Sequence, residues 1–317
     1  MDRIAAEKGF HRFEWMHQNT KGEAFPVQVT LNAVMIDGKP AMIAVWHDLT
    51  ELKEKEQHLR LANQKMKNDL NAAAAIQRSL LPLSSPFFKG VRASWIFKPC
   101  EELGGDRLNI FLLDKKRLGF YVLDVTGHGV VASLLSVAAS QFLSPYSETS
   151  FVRSPASKQK FSAASPSEVA NKLNRHFTSM PEFLQIFTFF YGILSVESLE
   201  FHYTCAGHPL PILVTLGNAP QMIEGAGIPI GVDWNFKFEE FRLKFNRGDR
   251  LYLYSDGIIE AKNKQRELFS RERFLGILDQ TRREALPASL EKIVAGTESW
   301  CQPQMPDDDV TLLACEV

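Results

Sequence analysis

No apolar stretch in this chain approaches the ~20 residues that a membrane-spanning helix needs, and its start lacks a secretion-signal pattern. A cytoplasmic protein with no membrane partner is the expectation. Cysteine is scarce: Cys100, Cys205, Cys301 and Cys315 form no CxxC pair and are too sparse for a disulfide framework. They suit a reducing compartment, as packed thiols. Charge bias is missing too. The 36 Lys and Arg against 37 Asp and Glu leave a formal charge of -1, which gives no argument for nucleic acid or an anionic surface as partner. The chain shows no internal repeat. What is present is ordinary for a globular protein: 45% apolar and 23% charged residues in a chain of 317, with room for one large domain or two smaller ones.

The stretch Leu123-Asp124-Val125-Thr126-Gly127-His128-Gly129 organises the rest. An apolar run over 118–123 ends on an acid, a glycine-bracketed turn follows, and a small-residue helix is predicted over 130–142. Such a run closed by Asp and Gly predicts a buried strand that delivers a carboxylate to a loop. Three other stretches repeat the arrangement: Leu103-Gly104-Gly105-Asp106, Tyr254-Ser255-Asp256-Gly257 and Asp307-Asp308-Asp309-Val310-Thr311. A single Asp beside Gly reads first as a turn or cap residue. Four acids at the ends of apolar runs suggest a hard-metal site built from distant strands, because magnesium and manganese take oxygen ligands. Spacing alone leaves open whether the four converge.

In chain order, residues 10–17, 24–35 and 40–47 read as antiparallel strands, with turns at Asn19-Thr20-Lys21-Gly22 and Asp37-Gly38. Residues 51–81 hold no Gly or Pro and predict one long helix. Leu52, Leu59, Met66, Ala73 and Leu80 recur every seventh residue, with Leu70 and Ile76 thickening the stripe, so a parallel coiled-coil homodimer is expected. The alternative is a long helix packed on its own domain. Residues 82–89 read as a linker and 144–166, rich in Ser, Pro and Lys, as a mobile loop. Ser165-Pro166-Ser167-Glu168 opens a helix as a capping box. Strands are expected over 92–99, 107–113, 118–124, 187–196, 199–206, 211–215, 236–245, 250–255 and 309–317. Neighbouring strands separated by paired helices predict an α+β domain: two antiparallel sheets flanked by helices.

Two resemblances add to this reading. Residues 1–50, leaving through Trp46-His47-Asp48-Leu49-Thr50-Glu51, resemble the C-terminal half of a PAS sensor domain; no heme, flavin or other sensory ligand is expected from that half alone. From 84 to 317 the chain resembles a metal-dependent Ser/Thr protein phosphatase of the PPM family, in the branch that serves bacterial sporulation and stress-response partner switching. The matching residues are Gly104-Gly105-Asp106, Asp124-Val125-Thr126-Gly127-His128-Gly129, Ala206-Gly207-His208-Pro209, Gly227-Ile228-Pro229-Ile230-Gly231, Gly248-Asp249, Tyr254-Ser255-Asp256-Gly257-Ile258-Ile259-Glu260-Ala261 and Asp308-Asp309-Val310-Thr311.

The resemblance implies a β-sandwich flanked by helices, with two ions, Mn2+ or Mg2+, at one end. Asp124 would bridge both ions, the Val125 carbonyl would ligate one, and Asp256 and Asp308 would hold the second. Asp106 would ligate or orient metal-bound waters, and Gly105 and Gly127 would let the substrate phosphate approach the backbone. A bridging water would attack phosphorus directly. His128 is a candidate acid for the leaving serine oxygen, against a structural role. His208 and Asp249 read as turn residues. The family pattern runs on from Asp106 with an aromatic and a second acid, where this chain has Arg107 and Asn109. Arg107 is a candidate for bidentate phosphate binding, against a plain strand residue.

Three readings compete. A diguanylate cyclase fits Gly104-Gly105-Asp106 but leaves the later acids unexplained. A purely structural coiled-coil protein does not fit the large strand-rich domain. A pseudophosphatase that serves as a dimeric regulatory scaffold is the serious alternative, and it would be favoured by loss of a core acid. The expectation is a phosphatase acting on a phosphoprotein, an anti-sigma-factor antagonist by the branch resemblance, with control passed along the 51–81 helix.

Overall fold

The structure, a computed structural model, describes residues 2–82, 90–154, 162–179 and 186–317. The predicted linker over 82–89 and part of the predicted mobile loop, 155–161, fall almost wholly outside the described residues. The chain divides into two compact units, Met1–Leu70 and Asn71–Val317.

In the first unit, helix α1 (Asp2–Lys8) precedes strands β1 (Phe10–Gln18), β2 (Ala24–Ile36) and β3 (Lys39–Asp48), which form an antiparallel sheet in that order. Both hairpin turns form where expected. Asn19 Oδ1 accepts the Lys21 and Glu23 amides, and Asp37 and Gly38 both take positive φ, as a tight two-residue hairpin requires. Asp48 accepts the amide and hydroxyl of Thr50, where helix α2 (Thr50–Ser79) begins. Within this unit the helix keeps its heptad stripe in solvent, with Leu59 62% exposed and Leu52 and Met66 similar. That stripe is not packed on its own domain.

The second unit holds the end of α2 and then β4 (Arg92–Lys98), β5 (Arg107–Leu112), β6 (Arg117–Val125), α3 (Val130–Leu143), β7 (Arg153–Ser154), β8 (Ser162–Ala163) and α4 (Pro166–Thr178). Strands β9 (Phe187–Ser195), β10 (Glu200–Ala206), β11 (Ile212–Val214), β12 (Gln221–Met222), β13 (Phe241–Lys244) and β14 (Arg250–Tyr254) follow, then α5 (Asp256–Ile259), α6 (Ser270–Thr281), α7 (Leu286–Cys301) and β15 (Val310–Glu316). Two five-stranded antiparallel sheets result, in the orders β13-β10-β9-β6-β5 and β12-β11-β14-β15-β4.

Alternation along the strands divides the apolar residues among three cores. Phe120, Val122, Phe190 and Phe201 of one sheet meet Leu251, Leu253 and Leu313 of the other. Tyr121, Leu123 and Phe189 face away from that interface, onto Leu135 and Ala139 of α3 and Val169 and Leu173 of α4. Tyr252, Tyr254 and Leu312 face Phe274 of α6 and Leu290 and Ile293 of α7. Four layers, helix–sheet–sheet–helix, therefore bury the central strands on both sides. This is why their sequences are continuous apolar runs rather than alternating ones.

Some expectations change. The predicted strand over 236–245 shortens to Phe241–Lys244, because Phe236 closes a turn on the Asp233 carbonyl. The described part of the 144–166 segment is tethered: Val152 and Ala164 are buried, and their backbones pair. The capping box at Ser165 and Glu168 forms as expected.

Strand β9 passes close beneath an aromatic stack, Phe120 on Phe201 with centroids 5.1 Å apart, and Gly192 leaves the room. A Cβ at Gly192 would overlap the Phe201 ring. Gly192→Ala is expected to lower stability by about 1–3 kcal/mol, read as a shifted denaturation midpoint at unchanged slope.

Candidate metal centre

Register brings the acids together. Arg107 of β5 stands opposite Leu123 of β6, so the residues just beyond the ladder, Asp106 and Asp124, face one another. In the second sheet Tyr254 stands opposite Leu312, so Ser255-Asp256 and Asp308-Asp309 meet at the neighbouring ends of β14 and β15. The Ser255 amide donates to the Thr311 carbonyl, and the Ser255 hydroxyl accepts the Thr311 amide while donating to the Asp309 carbonyl.

The two sheets are joined at this end by Asp309. Its Oδ1 accepts the Cys100 amide at 2.9 Å and its Oδ2 the Asp106 amide at 3.1 Å. Asp309 is 3% exposed with both carboxylate oxygens on amides, whereas Asp308 is the more exposed of the two and engages only its Oδ1, on the Asp309 amide. Gly257 lets the first turn of α5 lie against this loop, since a Cβ there would overlap the Asp309 carbonyl. Gly105 sits beneath the turn after β6, where a Cβ would come within 3.0 Å of the Gly127 carbonyl and 3.1 Å of the Val125 carbonyl. Gly127, at φ +87, has open space on the side where a Cβ would project.

Crowding sets the electrostatics. Burial, then the neighbouring Asp256, raises Asp124 to about 7. Burial, then Asp308 and Glu260, raises Asp256 to about 6. Burial also raises Asp308, and pushes Asp106 well up with help from Asp124 and Asp309. Asp106 is 3% exposed and its Oδ2 has no hydrogen-bond partner. An orphaned buried carboxylate oxygen amid three further acids and the Val125 carbonyl is an all-oxygen donor set, which fits a hard divalent cation. Cys100 lies close by, with its Sγ and oxygens of Asp308 and Asp309 all within 4.8 Å of one another. Burial and then Asp309 raise this thiol to about 12, so it stays protonated at neutral pH.

His128 lies at the mouth of the site. Its Nδ1 is 3.0 Å from Glu101 Oε1, both side chains are about half exposed, and its proximity offsets part of the rise that burial gives Asp308. His208 is buried in the turn after β10, and Asp249 takes the expected turn, accepting the Asn246 amide. Arg107 follows Asp106 and opens β5. It is 4% exposed and its Nη2 donates to the Leu80 carbonyl at 3.1 Å, beside Tyr121. Strand alternation puts Asp106 toward the other sheet and Arg107 on the helix-facing side. Asn109 shares that outer face, with its Oδ1 on the Ile110 amide.

Sequence reasoning missed three participants. Gln77, near the end of α2, donates to the Gly104 carbonyl at 2.7 Å and to Ser133 Oγ of α3 at 2.9 Å, gripping the loop that carries Asp106. Glu101 and the bracing role of Asp309 are the others. Gln77 carried a faint signal, a polar residue beside Ala74 in an otherwise small-residue patch; Glu101 carried none.

The raised carboxylates set a pH dependence. Unfolded, they titrate near about 3.9; folded without metal, Asp124 titrates near 7 and Asp256 near 6. The folded state therefore binds more protons than the unfolded state between about pH 4 and 7, and the metal-free protein loses stability as pH rises through that window. A divalent cation binds the ionised acids and opposes the loss. The melting temperature without metal is expected to fall from about pH 5 to about pH 7.5, and the increase given by Mn2+ is expected to be larger at the higher pH.

The chain is similar to known proteins. A family model described as Stage II sporulation protein E (SpoIIE) matches residues 114–317. The phosphoserine phosphatase RsbU of Bacillus subtilis (strain 168) is 25% identical over 212 residues, 67% of this chain and 59% of that protein. The phosphoserine phosphatase RsbP of the same organism is 26% identical over 199 residues, 61% of this chain and 46% of that protein. The chain thus spans about half the length of the curated relatives it matches. Among solved structures, the SiaA-PP2C domain of Pseudomonas aeruginosa superposes with a TM-score of 0.66 at 21% identity, covering 81% of this chain and 98% of that one. The RsbU and RsbW domains of a Mycobacterium tuberculosis protein give 0.58 at 26% identity, covering 74% and 61%. The sandwich is thus a PP2C-type fold, and because the family match takes in most of the chain and three of the four acids, Asp124, Asp256 and Asp308, the chain belongs to the Stage II sporulation protein E (SpoIIE) family.

Proposed function

We propose that the second unit is a metal-dependent protein phosphatase that hydrolyses phosphoserine or phosphothreonine on a regulatory protein. The observation that carries this is the meeting of Asp106, Asp124, Asp256 and Asp308, from both sheets, at one end of the sandwich. The family membership and the phosphoserine phosphatases RsbU and RsbP among the relatives support it. Asp124 and the Val125 carbonyl, with Asp256 and Asp308, would hold two ions, Mn2+ or Mg2+, and Asp106 would complete or orient that set. When bound, the ions would neutralise charge on the phosphoryl oxygens and acidify a water for attack at neutral pH. Gly105 and Gly127 keep the floor of the site free of side chains, so a phosphate can lie against the backbone. His128, with Nδ1 turned to Glu101, has Nε2 left to protonate the departing serine oxygen.

The substrate in this reading is an anti-sigma-factor antagonist, as in partner switching, and nucleic acid and membrane play no part. The protein works in the cytoplasm; among the described residues no helix is long and apolar enough to cross a membrane. The exposed heptad stripe over 51–81 pairs two copies as a coiled coil, and the PAS-like strands bias that helix. Gln77 is the point at which a shift of the helix would reach Gly104 and Asp106. A pseudophosphatase scaffold is disfavoured because none of the four acids is replaced.

Purified protein is expected to release phosphate from a phosphoserine peptide with Mn2+ or Mg2+, and to stop with EDTA. Asp124→Asn is expected to lose at least about a hundredfold in turnover. Release that survives both treatments would overturn the reading, and silence with no Mn2+ binding by calorimetry would favour the scaffold. Met66→Pro breaks α2 while leaving all four acids unaltered and is expected to change turnover; an unchanged rate would exclude control through the helix.

A further inference from the structure

His208 belongs to a tightly built turn with no part in the chemistry above. Gly207 takes φ +67 against Pro229, and Cys205 Sγ donates to the His208 carbonyl at 3.2 Å. The imidazole is 4% exposed, and burial lowers it to about 3, so it is neutral. Nδ1 lies 2.8 Å from Thr188 Oγ1. Nε2 has no hydrogen-bond partner, and the backbone of Tyr254 lies beside the ring.

Both neighbours lead to predicted ligands. Thr188 of β9 stands directly opposite Asp124 of β6, so the two side chains share a face with Cβ atoms about 5 Å apart. Tyr254 ends β14 two residues before Asp256. One sheet supplies Thr188 and Asp124, the other Tyr254 and Asp256. Asp309 joins the sheets on the β5–β15 side of the site; His208 stands between them on the β9–β14 side.

We propose that His208 is a positioning residue of the metal centre, spanning from Thr188 to the end of β14 and so fixing the separation of Asp124 and Asp256. This rests on the metal-site reading above. An imidazole suits the place because its two nitrogens lie on opposite sides of a rigid ring and can address two strands at once. Without it the turn after β10 still packs, but the ends of β6 and β14 lose a spacer. Two carboxylates that repel each other then drift apart when no cation holds them.

The test is calorimetric titration of Mn2+ into the full chain, with the melting temperature of each metal-free variant recorded. His208→Ala is expected to weaken Mn2+ binding by about tenfold to a hundredfold, the usual cost of removing a group that orients metal ligands. Thr188→Val removes only the hydroxyl and is expected to weaken it in the same direction. The double variant should bind no worse than His208→Ala, since both changes cut one connection. His208→Gln keeps a polar group between the strands and should recover part of the loss. A histidine that merely packs lowers the melting temperature and leaves the affinity of the folded protein unchanged, and that result overturns the proposal. If His208→Ala does not fold, wild-type affinity in both Thr188→Val and His208→Gln overturns it equally. Wild type that does not bind Mn2+, or Asp124→Asn that binds it as tightly as wild type, instead refutes the metal-site reading, and the role of His208 falls with it.

Discussion

Repulsion among carboxylates is the constraint on which the acid-bearing end of this sandwich depends. Asp106, Asp124, Asp256 and Asp308 come from four strand ends in two sheets, and each is raised by burial with further acids beside it. Left alone, such a set takes up protons or moves apart. The backbone prevents the second outcome. Asp309 spends one carboxylate oxygen on the Asp106 amide of the facing sheet and the other on the Cys100 amide just past β4 of its own, and Ser255 bonds the neighbouring strand through backbone and hydroxyl. The acids are therefore held in a state that a divalent cation relieves, and binding energy and structural order have one source.

The layers make that rigidity possible. Because α3 and α4 cover one sheet and α6 and α7 the other, the central strands are buried on both faces and cannot slide without exposing a core on one side or the other. Loops at the end of such strands inherit fixed positions. Gly105 and Gly257 then decide how closely neighbouring loops approach: each allows a backbone carbonyl to lie where a side chain would otherwise stand. The end of α2 is attached to the same loop through Gln77, and to β5 through Arg107, so the segment carrying Asp106 is held from the helix as well as from the sheets.

Much of the fold could be read from local pattern. The capping box at Ser165, the turn at Asp37-Gly38, the helix over 51–81 and the doubly buried strands each depend on residues within a few positions of one another. Strand 236–245 was overestimated because the aromatic residues Phe236 and Phe238 resemble strand residues, although a turn on Asp233 claims the first of them. Arg107 stands where the family pattern has an aromatic, and its side was not legible from the motif: one residue along a strand from Asp106 is the opposite face, and that step carries it to the helix side, onto the Leu80 carbonyl.

From its sequence alone this protein was determined to be an α+β chain with acids at the ends of apolar runs, because run length, period and glycine placement are properties of neighbours. Only tertiary structure decided that the acids of both sheets meet at one end, that Asp309 and not Asp308 braces across them, and that His208 lies between Thr188 and Tyr254. Those facts depend on how two sheets are set against each other. That relation is settled by packing among residues about two hundred positions apart, and no local pattern records it.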